Sequence, residues 1–264
     1  MIVRPIGVVD SGLGGLSVWQ TLVRHLPEES YLYFGDSGYC PYGSRTVDDI
    51  LRRVTRIVDF LVEKQCKIVV VACNAITAAS IDVLRKNYPV PFVGMEPAIK
   101  PASIHTRTGV VGVLATERTL KGKLFSDTRS KYAANVQVIE KAANGLVEKV
   151  ESLDFDSDST MQLLNRYIQP MLAENIDHLV LGCTHYPFLQ ASIRKIVGDG
   201  VTVVNPAPAV AQRTSVVLGE RKLRHATGEP AGRSIFYTTG DTEKMKHMLL
   251  SIEAADCEVL PISL

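Results

Sequence analysis

Ile68-Val69-Val70-Val71-Ala72-Cys73-Asn74 sets five consecutive apolar residues, four of them β-branched, ahead of a thiol and an amide. Such a run has no alternation between wet and dry faces, so it reads as a parallel strand covered on both sides by helices. Helical periodicity follows as far as Lys86 and is stopped by Asn87-Tyr88-Pro89, which places Cys73 where a strand hands over to a helix. Upstream, Val47, Ile50, Leu51, Val54, Ile57, Val58 and Leu61 form the stripe of an amphipathic helix, with Asp48 and Asp49 at its positive end. Residues 6–9 read as another strand, followed by a helix carrying Leu16, Trp19 and Leu22 and stopped by Pro27; a short strand covers 91–94. This alternation predicts an α/β protein with mainly parallel sheets.

The pattern restarts beyond residue 97. Gly109-Val110-Val111-Gly112-Val113-Leu114-Ala115-Thr116 is a glycine-led valine strand ending in small polar residues, as Gly7-Val8-Val9-Asp10-Ser11 is. His178-Leu179-Val180-Leu181-Gly182 leads to Cys183-Thr184-His185 as 68–72 leads to Cys73-Asn74. The echoes predict two pseudosymmetric α/β domains: 1–97 with 210–264 as the first and 98–209 as the second, with a crossover at Asn205-Pro206-Ala207-Pro208. Pro187 suits the first turn of the helix after Cys183. Ligands of open α/β sheets lie beyond the carboxyl ends of the strands, so Asp10, Cys73 and Cys183 all stand at the functional rim.

Composition narrows the function. Of 264 residues 46% are hydrophobic and 22% charged, enough to bury a large core and too apolar for disorder. Lys and Arg number 29 against 28 Asp and Glu, so no basic excess drives counterion release, and nucleic acid is not an expected partner. The longest apolar stretch is broken by Asn74 and Thr77 and falls short of the roughly 20 residues a membrane span needs. The first residues carry one charge and run into Asp10 and a glycine cluster without a signal-type apolar core, so the expected location is cytoplasmic. Five cysteines, none in a C-x-x-C pair, argue for free thiols rather than a disulfide framework or a structural metal.

A thiol at a helix N-terminus meets free N–H groups and the positive end of the dipole, which should lower its pKa from about 8.5 toward neutrality. Cysteine is also a common packing residue, and Cys66 and Cys257 are read so, with Cys40 left without a role. Cys73 and Cys183 differ because they occupy equivalent places in two halves. Two like acid–base groups across a cleft suit removal of a proton from one face of a carbon and delivery of another to the opposite face, which is racemisation. The amides after each cysteine, with Asn74 and Thr184, are placed to hold a carboxylate. Asp10 precedes Ser11-Gly12-Leu13-Gly14-Gly15, which either lets the backbone approach a ligand or simply turns tightly; Ser17 stands where a dinucleotide fingerprint would have its third glycine. Cys183 with His185 alone would suit a nucleophilic hydrolase, but that leaves Cys73 idle.

Asp10-Ser11-Gly12-Leu13-Gly14-Gly15-Leu16, Tyr33-Phe34-Gly35-Asp36, Pro41-Tyr42-Gly43, Ala72-Cys73-Asn74 and Gly182-Cys183-Thr184-His185-Tyr186-Pro187 together resemble the glutamate racemases, in order and spacing, over nearly the whole chain. The resemblance implies interconversion of L- and D-glutamate for peptidoglycan synthesis without pyridoxal phosphate, metal or nucleotide. It makes Cys73 the group that handles the proton of D-glutamate, assisted by Asp10, and Cys183 that of L-glutamate, assisted by His185. Substrate contacts implied are Asp10, Ser11, Tyr42, Gly43, Asn74, Ala75, Thr184 and His185, and Glu151 resembles the family's auxiliary acid, seven residues beyond a proline position that holds Asn144 here. The family is often dimeric, which leaves a homodimer open. Two departures stand out: Cys73-Asn74-Ala75-Ile76 replaces the usual Cys-Asn-Thr-Ala, and Asn205-Pro206 a common Asp-Ser. The first removes a hydroxyl, for which Thr77 or a water would substitute, and keeps open an aspartate-type racemase or a non-catalytic binding relative.

Overall fold

The computed structural model describes residues 4–225, 232–254 and 257–264. Among them ten strands form two wholly parallel sheets. Four strands come from the first part of the chain: β1 (Ile6–Asp10), β2 (Tyr31–Gly35), β3 (Ile68–Val71) and β4 (Phe92–Gly94). The next four are β5 (Val110–Ala115), β6 (Gln137–Ala142), β7 (His178–Gly182) and β8 (Thr202–Val204). The tail adds β9 (Ser234–Thr238) and β10 (Glu258–Pro261). One sheet runs β10-β9-β2-β1-β3-β4 and the other β6-β5-β7-β8.

The second order repeats the first: β6-β5-β7-β8 corresponds to β2-β1-β3-β4, and β9 and β10 extend only the first sheet. Register makes the correspondence residue by residue. Val9 pairs with Val71 as Leu114 pairs with Leu181, so Cys73 matches Cys183, Ser11 matches Thr116, and Asn74 matches Thr184. The strands β1, β3 and β7, whose ends carry Asp10 and lead to Cys73 and Cys183, are fully buried.

The helix Val47–Glu63 buries Ile50, Val54, Ile57, Val58 and Leu61 against the first sheet, each such side chain contributing about 1.5–3 kcal/mol. Thr46 caps it by accepting from the Asp49 amide (3.2 Å), and losing that cap costs about 1 kcal/mol. Leu16–His25 packs on Ala207–Glu220, the helix that returns the chain to the first sheet.

One expectation needs correction. Asn74–Asn87 begins directly after Cys73, but after Cys183 the chain first makes a 3-10 turn, Tyr186–Leu189, and the α-helix starts only at Gln190. Pro187 lacks an N–H, and the turn closes with tight bonds from Tyr186 N to Cys183 O (3.2 Å) and Phe188 N to His185 O (3.1 Å). The two cysteines therefore share a strand end but not a helix start. No helix among the described residues is long and apolar enough to cross a membrane.

Candidate active site

Asp10 ends β1 and is wholly buried. Its Oδ1 accepts from the Gly12 amide (2.9 Å) and its Oδ2 from Thr184 Oγ1 (3.0 Å), so a carboxylate on one sheet is held by a hydroxyl carried on the other. Burial pushes the Asp10 carboxyl above its ordinary value, opposed by the charge of His185 and by these hydrogen bonds. Ser17 Oγ donates to the Thr184 carbonyl (2.9 Å), a second bond across the two units. Beside the site, Arg118 N donates to Gly43 O (3.2 Å) and Arg118 Nη2 to Arg45 O (2.6 Å), which closes the units over it.

Cys73 and Cys183, both nearly inaccessible, line one narrow pocket of about 10 Å³, nearly closed as it stands. Ser11, Tyr42, Gly43, Asn74, Ala75 and His185, all among the contacts the resemblance implies, line it too, and the fold adds Pro41, Thr116 and Val147. Asp10, Thr184 and Glu151 stand one layer behind, the first two bonded to each other and the third to His185. The Cys73 thiol donates to Ser11 Oγ (3.6 Å), and Cys183 Sγ lies 3.7 Å from His185 Nδ1. Glu151 Oε1 accepts from the Leu13 amide (2.7 Å) and is 2.6 Å from His185 Nε2. Asn74 is buried, yet neither its amide nitrogen nor its amide oxygen has a partner among the described residues. An orphaned amide in a pocket wall is a group kept for a ligand.

The thiolate expectation for Cys73 fails. Burial pushes its thiol up to about 12, with the negative Asp10 and the neighbouring Cys183 adding to it, while the Ile76 amide and Ser11 only partly oppose. Dehydrating a sulfur anion outweighs the favourable helix end. Cys73 therefore rests as a neutral thiol. Because its pKa lies far above neutrality, its thiolate fraction grows tenfold per pH unit, and alkylation at Cys73, mapped by mass spectrometry, should climb that way from pH 7 to 10 without levelling. A plateau near pH 8 would contradict the burial argument. His185 goes the other way: burial disfavours its cation, but Cys183, Cys40 and Glu151 together hold the imidazole well above its usual value.

The glycine run has a meaning the sequence left undecided. A Cβ on Gly12 would lie 2.1 Å from Glu151 Oε1, one on Gly14 2.3 Å from His185 Nδ1, and one on Gly15 2.5 Å from Asp10 Cβ. These glycines admit the side chains of the site itself. Ser17 is not a defective fingerprint position either, since it fastens Thr184. The echo between 109–116 and 7–11 was the signal that could have found Thr116 as the counterpart of Ser11.

Tyr42 is positioned by Asp36, a buried carboxylate at the end of β2 that accepts from Tyr42 OH (2.5 Å), Thr239 Oγ1 (2.6 Å) and both Arg53 nitrogens facing it. Replacing Tyr42 by Phe removes one of these donors, and we expect about 1–2 kcal/mol of lost stability in thermal unfolding together with a raised KM. Unchanged values for both would show that Asp36 does not set the loop. Thr77 cannot replace the hydroxyl missing at Ala75: its Oγ1 donates to Cys73 O (2.9 Å) and accepts from Met95 N (3.0 Å), away from the pocket.

A family model described as Asp/Glu/hydantoin racemase matches residues 6–214. A glutamate racemase of Pseudomonas putida is 47% identical over 246 residues, 93% of this chain and 92% of that protein. The crystal structure of glutamate racemase isoform RacE1 from Bacillus anthracis superposes with a TM-score of 0.90 at 32% identity, over 99% of this chain and 98% of that one. Glutamate racemase from Francisella tularensis, solved with D-glutamate, gives 0.85 at 28% identity, over 100% and 98%. Paired strand-end cysteines in one interdomain pocket, seen beside these likenesses, leave no other placement: the chain belongs to the Asp/Glu/hydantoin racemase family, and within it aligns with the glutamate racemases over nearly its whole length.

Proposed function

We propose that this protein is an isomerase that interconverts L- and D-glutamate by a two-base mechanism on Cys73 and Cys183, supplying D-glutamate for peptidoglycan synthesis. The observation that carries this reading is that two cysteines from equivalent strand ends of two sheets line a single pocket. From L-glutamate, the Cys183 sulfur takes the Cα proton, and the electron pair left on carbon delocalises into the α-carboxylate. Cys73 then delivers its own proton to the other face, and the reverse reaction exchanges the roles. Near a bound α-ammonium group the thiolate form costs less than in the empty pocket, because an adjacent positive charge favours it.

His185 stands beside Cys183, and Glu151 fixes the ring through Nε2. Asp10 lies near enough for its charge to act on Cys73. The Asn74 amide, Ser11, Thr116 and the amides around Ala75 are the carboxylate-binding groups, and Tyr42-Gly43 closes over the substrate. Taking the halves as 98–209 and the remainder, admission of substrate requires the Gly43–Arg118 and Asp10–Thr184 bridges to part.

Incubation of L-glutamate in deuterated water tests the reading. The first D-glutamate formed should carry deuterium at Cα while unreacted L-glutamate keeps protium. Protium retained in the product would mean one shuttling base. Aspartate run in parallel should turn over far more slowly, and an equal rate would assign the pocket to a broader substrate.

A further inference from the structure

Cys40, Glu151 and His185 each place one donor atom within 4.8 Å of the other two. They come from three separate segments: the loop ahead of Tyr42, the end of the helix Leu146–Glu151, and the turn after β7. We propose that this trio is a binding site for a borderline-soft divalent cation of the zinc class, and that its occupation switches the enzyme off by withdrawing His185 and Glu151 from the proton-transfer machinery. Thiolate, imidazole and carboxylate together suit zinc and disfavour magnesium or calcium, which take oxygen donors. With bonds of about 2.0–2.3 Å the edge of a zinc tetrahedron is roughly 3.5 Å, a spacing that shifts of about 1 Å reach from the present one: His185 and Glu151, in contact at 2.6 Å, open a little, and Cys40, within 4.8 Å of both, draws in. Three protein ligands leave the fourth position to water.

Access and space favour the site. Cys40 and Glu151 are only partly buried, so an ion can reach them from solvent, whereas His185 is enclosed behind. Gly12 leaves room: a Cβ there would stand 2.1 Å from Glu151 Oε1 and 3.2 Å from Cys40 Sγ. As the sulfur–metal bond forms, the Cys40 thiol proton departs to solvent, and the His185 nitrogen that binds must give up any proton it holds. Cys40 neither takes nor gives a proton in the proposed racemisation; it only stands beside His185. The inhibitory consequence rests on the proposed function, but binding of the ion does not.

Cobalt(II) titrated into chelator-treated protein in thiol-free buffer reports the site by its thiolate-to-metal absorption in the near ultraviolet. The expected result is a band that saturates at one equivalent in the wild-type chain and is absent from C40S. Zinc chloride should inhibit wild-type racemisation reversibly, with recovery on adding EDTA, while C40S, with each protein referred to its own metal-free rate, needs at least about tenfold more zinc. A band that persists in C40S, placing the ion on Cys73 or Cys183, overturns the proposal, as does a wild-type chain with no band. Equal zinc sensitivity of the two proteins overturns the inhibitory role. The band is read without turnover, so it decides the site whichever amino acid the enzyme processes.

Discussion

Cys73→Ala and Cys183→Ala should each lower kcat/KM for racemisation by at least about a thousandfold, and equally for both enantiomers. The symmetry of the loss follows from the chemistry. Under the proposed two-base mechanism every turnover, in either direction, needs one sulfur to take a proton and the other to give one, and the enantiomers are equal in free energy, so kcat/KM cannot fall for one alone. Folding should survive, because each side chain loses only a sulfur that faces the pocket they share. Decay of optical rotation from L-glutamate and from D-glutamate, with thermal unfolding as the control, measures this. Either variant keeping a tenth of wild-type activity would remove that cysteine from proton transfer.

Gly14→Ala should be nearly as damaging, although Gly14 carries no chemistry. The added Cβ would lie 2.3 Å from His185 Nδ1, 2.6 Å from Cε1 and 2.7 Å from Cγ, closer than any atoms in contact can be. The backbone is held in place, since Gly14 O accepts from Ser17 N (3.1 Å) and from Ser17 Oγ (2.9 Å), so the imidazole must move instead. Moving it breaks the 2.6 Å contact with Glu151 and the approach to Cys183. A displacement of about 1 Å at such a group costs about a hundredfold in kcat, and overpacking costs about 1–3 kcal/mol of stability. Gly200→Ala is the control: nothing lies within 4 Å of its Cβ, and stability should stay within about 0.5 kcal/mol of wild type. Wild-type kcat in G14A would show that the ring does not need its present position.

Much of this was legible without coordinates, and the reasons are local. A run such as 68–72 can be satisfied only as a strand covered on both faces, Pro27 and the Asn87-Tyr88-Pro89 segment stop helices wherever they occur, and the echo of 68–74 in 178–184 announces the duplication that the strand orders display. Other features depend on which residues meet. The glycine run looks the same on paper whether it approaches a ligand or makes room for Glu151, His185 and Asp10, because the neighbours that crowd it lie up to 171 positions away, the separation of Gly14 and His185. Asp36 carries no motif that announces its three partners.

The sequence by itself determined the α/β class, the repeated halves and the two cysteines, because hydrophobic period and strand-end position are properties of short segments. Only the tertiary structure decided their state and surroundings. Cys73 is a neutral thiol rather than a thiolate because desolvation is set by everything packed around a sulfur, and that outweighs the helix end its sequence position supplies. Thr184 on Asp10 and Cys40 beside Glu151 and His185 are pairings made by two sheets facing each other, and Glu151 on His185 joins two segments of the second unit; no single segment encodes any of them.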